Sequence, residues 1–279
     1  MSNIDIHSGP LGEVRGAGAS GGVSLSTTAS FTSFPTGTTY LTLMPRNAST
    51  AVVVRYAINP YLTVIKTTDA LVAAGNLTDG SEDVQDGNAA TNLNIDSLNT
   101  AANNDFIYVG SWTQFRGVNV DVGNVNGTSS ILTVKYRKND DSWADISDTD
   151  GTASGGATFA QDGTVSWTVP SDWHARPLSS LGQNGIGDSA LAAPAFLVRS
   201  LYWTRWEVSV ALDSSVTLLN MQSMNRSTAY AELDVNLGKE LRIHKGFDGT
   251  GNIEALTDAG TANLIIECAT IGVGSKFLT

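Results

Sequence analysis

The stretch from Asn104 to Trp173 decides the fold. It contains FIYVGS (106–111), FRGVNVDVG (115–123), SSILTVKYR (129–137), DSWADIS (141–147) and GATFAQDGTVSWTVPSDW (156–173). Each run mixes β-branched and aromatic residues and is closed by Gly, Asn, Asp or Ser. Val118, Val120 and Val122 alternate with Asn119 and Asp121, and Ile131 and Leu132 lead into Val134 and Tyr136 with Thr133 and Lys135 between. A period of two places one face of a strand in a core and the other in solvent. Asn126-Gly127 falls between the second and third runs, where it predicts a hairpin turn with positive φ. The expectation is an all-β fold: an antiparallel β-sandwich, jelly-roll or immunoglobulin-like, spanning residues 88–226.

Outward from this centre, FLVRSLYWTRWEVSVALDSSVTLLN (196–220) carries Trp203, Trp206, Val208 and Val210 in a pattern that suits a sheet. Leu212 to Ser215 reads as a turn and Val216 to Leu219 as the return strand, closing the sandwich opened at Phe106. Before the centre, Tyr40, Leu41 and Leu43 begin a strand that Pro45-Arg46-Asn47 is expected to break. Strands follow at Ala51–Ile58 and Leu62–Ile65. Val52 to Val54 shows no alternation, which predicts burial on both faces. After the centre come AYAELDVN (229–236), KELRIHKG (239–246), NIEALTD (252–258) and ANLIIECATIGV (262–273). Periodicity leaves NIEALTD open between helix and strand. Residues 31–70 with 227–279 are expected to form a smaller β unit, bringing the chain ends together. Residues 69–104 read as a long loop with one short strand at Leu93–Ile95. Residues 1–30, rich in Gly, Ser, Ala and Thr, read as a flexible arm, either frayed or ordered against a neighbour.

Bulk properties narrow the function. The 279 residues allow one large all-β domain or two modest ones. Charged residues make up 15%, below the usual share of about a quarter, so Ser, Thr, Asn and Gly must cover the surface. Such a surface suits burial in an assembly, or reflects a β-rich composition alone. A net charge of −11 repels a phosphate backbone and argues against nucleic-acid binding. Cys268 is the single cysteine, so no intramolecular disulfide can form; within LIIECATI it reads as a small buried hydrophobe. Met1 to Pro10 has no apolar core of a signal peptide, and no run reaches the roughly 18 apolar residues of a membrane helix. A soluble protein that bypasses the secretory route, with no membrane partner, is expected.

The search for chemistry yields little. His7, His174 and His244 lie in distant contexts without metal-ligand spacing, which argues against zinc. There is no GxSxG elbow, although a Ser-His-Asp triad can assemble from distant positions. GAGASGG (16–22) lacks the strand, helix and lysine of a phosphate loop. Asp79, Glu82, Asp83 and Asp86 crowd one loop, and Asp145, Asp148 and Asp150 another. Neither matches the calcium ladder of an EF-hand, and both read as solvated acidic loops. No catalytic residue, metal ligand or cofactor is assigned, and the chain is expected not to be an enzyme. Six tryptophans, Trp112, Trp143, Trp167, Trp173, Trp203 and Trp206, read chiefly as core. Trp143 and Trp173, near turns, are the candidates for stacking on a glycan.

The blocks TTYLTLMPRNASTAVVVRYAINPYLTVIKTTD (38–69), NDFIYVGSWTQFRGVNVDV (104–122) and DGTVSWTVPSDW (162–173) resemble structural proteins of tailed bacteriophages. Residues 39 to about 220 look like the β-sandwich accessory proteins that decorate capsids or build tails. The resemblance implies a virion protein without enzymatic activity, made in the host bacterial cytoplasm. Its first reading is a capsid decoration protein bound to the major capsid protein or other virion proteins. A homo-oligomer is implied, with a trimer favoured. The alternative is a glycan-binding tail or head-fibre protein contacting the host surface.

Overall fold

The computed structural model describes residues 7–15, 22–34, 38, 40–72, 76–86, 88, 90–96, 98–181, 199–242 and 251–272. Among these there is no α-helix; the architecture is all-β and antiparallel. The chain divides into two compact units, Met1–Asn59 with Ala229–Thr279, and Pro60–Thr228.

The first unit opens with β1 (His7–Arg15), β2 (Val23–Leu25), β3 (Ser30–Ser33), β4 (Tyr40–Ser49) and β5 (Val53–Asn59). The second holds β6 (Thr63–Thr67), β7 (Leu77–Asp79), β8 (Leu93–Asn94), β9 (Phe106–Ser111), β10 (Gly117–Val122) and β11 (Leu132–Arg137). It continues with β12 (Trp143–Asp145), β13 (Thr149–Asp150), β14 (Gly163–Ser166), β15 (Ala175–Pro177), β16 (Ser200–Val208) and β17 (Thr217–Ser223). The chain then returns to the first unit with β18 (Ala231–Asp234), β19 (Lys239–Arg242), β20 (Asn252–Thr257) and β21 (Thr261–Gly272).

The second unit is a two-sheet sandwich. One sheet runs β12-β11-β16-β9-β6-β7, with β15 also on β16; the other runs β13-β14-β10-β17-β8. Alternation explains the packing. Val118, Val120 and Val122 of β10 meet Leu132 and Val134 of β11 and Trp206 and Val208 of β16 in one core, while Asn119 and Asp121 face outward. Each such buried Val, Leu or Ile contributes about 1.5–3 kcal/mol of transfer free energy. β9 is buried at all six positions. Its Ile107 and Val109 enter the main core, while Phe106 and Tyr108 join a second cluster with Ile65, Leu71, Leu178, Leu181 and Trp203 on the other face.

The predicted hairpin at Asn126-Gly127 is absent. β10 and β11 lie in different sheets, so this dipeptide carries the chain across the sandwich, and neither residue has positive φ. Asn126, 1% exposed, instead ties three segments together. Its Nδ2 donates to the carbonyls of Thr128 (2.9 Å) and Thr158 (3.0 Å), and its Oδ1 accepts from the amides of Thr128 (3.1 Å) and Asp213 (3.2 Å). β16 and β17 are likewise in opposite sheets; β17 pairs with β10 and β8, so Leu212 to Ser215 is not a hairpin turn either.

The first unit is also two-layered. β1-β21-β4-β19, with β2 on β21, forms one sheet, and β18-β5-β20-β3 the other. Leu41, Leu43, Leu264, Ile266 and Cys268 pack with Val54, Tyr56, Leu233, Ile253 and Ala255. NIEALTD is strand β20, central in its sheet. The unit ends at Asn59, short of residue 70: Thr63–Thr67 pairs with β9 in the other unit. Val52 is 62% exposed and β5 alternates, against the expected burial on both faces, because β5 lines only one core. β4 runs through Pro45 rather than breaking there. β19 covers only Tyr40 to Leu43, so beyond Leu43 the β21 side alone pairs, where a proline is tolerated. Residues 1–30 are not wholly an unpaired arm. β1 pairs with β21 over two segments separated by a register shift, and β2 places Leu25, 2% exposed, in the core. Gly22, φ +130°, makes the approach possible, since a Cβ would lie 3.0 Å from the Leu264 carbonyl.

Candidate functional site

The tryptophans sort by burial. Trp167, Trp173, Trp203 and Trp206 are buried, and each indole N–H donates a hydrogen bond: to the Phe115 carbonyl (2.8 Å), the Trp203 carbonyl (3.1 Å), the Arg176 carbonyl (2.7 Å) and Thr204 Oγ1 (3.0 Å). Trp173 also packs edge-on or tilted against Phe115, Tyr136, Trp167 and Tyr202. At 4% exposure it has no free face for a sugar ring, so the glycan role expected of Trp173 does not fit its position. Trp112, half exposed on the loop after β9, is the most open indole.

Trp143 belongs to a different arrangement. On the outer face of the large sheet, Lys135 lies opposite Arg205, and Arg205 opposite Tyr108. Arg137 lies opposite Trp143 of β12. These side chains alternate with core residues, so the period of two that buries Val134 and Trp206 inside lifts Lys135, Arg137 and Arg205 to the other face. The Arg205 guanidinium lies 4.4 Å over the Phe106 ring and 4.9 Å over Trp143, and that of Arg137 lies 5.4 Å over Trp143. The Tyr108 ring is 5.7 Å from Trp143. Glu207, buried, pairs with Arg205 and, at 2.8 Å, with Lys135. Burial, ahead of the neighbouring charges, pushes the Tyr108 phenol up to about 12 and lowers Arg137 below its ordinary range.

The acidic loops work as backbone caps. Asp79 Oδ1 accepts from the Ser81 amide (3.0 Å) and hydroxyl (2.6 Å), and Asp86 Oδ1 from the Asn88 amide (2.7 Å). Asp145, Asp148 and Asp150 accept from the amides of Ser147, Val134 and Thr152. Among the described residues no group of three or more His, Cys, Asp or Glu is placed to hold a metal ion, and no helix is long and apolar enough to cross a membrane. His7 lies on β1 and His174 is exposed after Trp173, while His244 falls outside the described residues.

Reading the sequence for histidines, carboxylates and tryptophans passes over Tyr108, Arg137 and Arg205. The available signal was their register with Lys135 across three β-rich runs. Compared with known protein families and with curated proteins, the chain matches none significantly.

Proposed function

We propose that the chain is a structural protein of a tailed-bacteriophage virion, acting as a capsid decoration protein. It binds the major capsid protein as a homo-oligomer, with a trimer favoured, after synthesis in the host bacterial cytoplasm. The observation that carries this reading is the surface. With 15% charged residues, the chain leaves Ile131 (69%), Val52 (62%), Leu237 (60%) and Val125 (54%) in solvent. Single exposed aliphatics are ordinary, but on a surface this poor in charge they suit positions that a neighbouring subunit covers. Covering them returns about 25 cal/mol per Å² of apolar area. The resemblance of residues 38–69, 104–122 and 162–173 to phage accessory proteins supplies the identity of that neighbour. The glycan-binding alternative has less to stand on, since Trp173 is internal and Trp143 carries two guanidinium groups over its ring.

The test is composition and imaging of the particle that contains this chain. Density for two β-sandwich units on the head, in symmetry-related copies seated on the major capsid protein, is expected. Intact tailless heads that lack the chain would overturn the decoration role. Binding of the isolated protein to host cells, lost in Trp143→Ala, would favour the glycan reading instead.

A further inference from the structure

We propose that Asn126-Gly127 is a latent deamidation site, silent in the folded protein, whose reaction in the unfolded chain permanently weakens the fold. An asparagine followed by glycine is the dipeptide most open to this chemistry, because no side chain obstructs the approach of the glycine amide. The Gly127 nitrogen attacks Asn126 Cγ; the N–Cγ bond forms, the Cγ–Nδ2 bond breaks, and ammonia leaves with the amide proton. Water then opens the succinimide ring at either carbonyl, giving aspartate or isoaspartate at position 126. No other reagent is needed.

The fold closes each part of this route. The Gly127 amide, the nucleophile, donates at 2.6 Å to Asp213 Oδ2. Bonds from the Thr128 hydroxyl and then the Gly127 amide hold the Asp213 carboxyl below its ordinary range. It is therefore charged at neutral pH, and stripping the amide proton would set a second negative charge beside it. The leaving nitrogen, Nδ2, donates to the Thr128 and Thr158 carbonyls, which have no proton to give it. Oδ1 accepts from the Thr128 and Asp213 amides, so turning Cγ toward the Gly127 nitrogen breaks all four side-chain bonds at a residue 1% exposed. The Asn126 amide is fixed as well, donating at 2.9 Å to the Phe159 carbonyl. Reaction therefore waits for the crossing to open. A slow reaction of a transiently open state follows the open population, roughly one molecule in a thousand or fewer. The products fit back poorly. Aspartate sets an oxygen where Nδ2 met two carbonyls, and isoaspartate adds a methylene to the main chain, moving Gly127 off Asp213. Because ammonia is lost, a chain slow to fold becomes a chain that folds less stably. This inference does not rest on the virion reading.

The experiment ages the full-length chain, native and in urea, in mildly alkaline buffer, and peptide mapping by mass spectrometry counts aspartate and isoaspartate at position 126. Conversion at least about a hundredfold slower in the native protein is expected, and a smaller ratio would overturn the protection. Chains aged in urea to partial conversion are then brought to the urea midpoint of the unaged protein, and a brief protease pulse removes the unfolded ones. Survivors should be depleted at least about fivefold in converted chains, as a tenfold shift of the folding equilibrium at its midpoint requires; a smaller depletion would overturn the claim that the reaction weakens the fold. Gly127→Ala tests the route itself. Its Cβ would approach only Asp213 Oδ2, at 3.2 Å, and Gly127 has no positive φ, so alanine is tolerated. It should slow conversion at position 126 in urea severalfold while leaving that at Asn184-Gly185, the same dipeptide elsewhere in the chain, unchanged. An unchanged rate at position 126 would overturn the proposal.

Discussion

Replacing Asn126 by Ala should destabilise the Pro60–Thr228 unit well beyond an average substitution. The side chain makes four hydrogen bonds at 2.9–3.2 Å and is 1% exposed. At a net of about 0.5–1.5 kcal/mol each, four such bonds amount to roughly 2–6 kcal/mol. Water can rescue part of this at half-buried Thr128, but not at Thr158, which is wholly buried. We expect a loss of about 2–4 kcal/mol, against about 1 kcal/mol for a typical mutation. For a unit of this size that lowers the melting temperature by roughly 4–16 °C. The assay is unusually clean. All six tryptophans fall within Pro60–Thr228, so indole fluorescence during urea or thermal unfolding reports on that unit alone. Asn126→Asp should be at least as damaging at neutral pH, since it sets a carboxylate oxygen against the Thr128 and Thr158 carbonyls. A loss below about 1 kcal/mol for the alanine variant would refute the claim that this side chain anchors the crossing.

Gly110→Ala should cost about 1–3 kcal/mol by overpacking, because its Cβ would come within 2.6 Å of two ring atoms of buried Trp203; an unchanged fluorescence-detected unfolding midpoint would show that the indole can move aside. Asp121 titrates above the usual carboxylate range, chiefly through burial, so the stability tied to its protonated form is present at low pH and lost as pH rises through that raised value. Asp121→Asn should therefore stabilise the unit at neutral pH and converge on the parent under acid, and unfolding curves across pH would detect the crossover. Asp258 behaves oppositely: bonds from the Val52 and Val53 amides hold its carboxyl below the usual range, so its contribution is present above that range and disappears as pH falls through the depressed value. Hydrogen exchange at Val52 and Val53, corrected for its intrinsic pH dependence, should lose protection in Asp258→Ala and in acid.

The strands were legible because alternation is local. Val118 to Val122 and Leu132 to Tyr136 announce both their conformation and their buried face. Which sheet each strand joins was not legible. Asn126-Gly127 has the composition of a hairpin turn, but a crossing between sheets uses the same polar, compact residues, and only the distant partners Thr158 and Asp213 distinguish them. Val52 looked interior because three valines in a row suit a doubly covered strand; β5 has one core to line, so alternation prevailed. Trp173 looked available because it follows a turn, whereas its indole N–H donates to the carbonyl of Trp203, 30 residues further along the chain. The Arg137, Arg205 and Tyr108 grouping needed register, which sets β11 and β9 on either side of β16.

The first unit's topology has a consequence for how the protein is made. β21 is the strand on which β1, β2 and β4 all pair, and its Cys268 lies opposite Leu41. On the ribosome, β4 emerges more than 200 residues before that partner does. Pro60–Thr228 can collapse around its own core in the interval, while Leu41, Leu43 and Val54 wait with their apolar faces uncovered. Pairings this remote in sequence close slowly, and unpaired edges held open during synthesis are where chains cross-associate. Nascent chains halted before residue 252 should therefore hold a folded, protease-resistant middle flanked by a cleavable front. Release of the chain through β21 should then make the front protease-resistant as well.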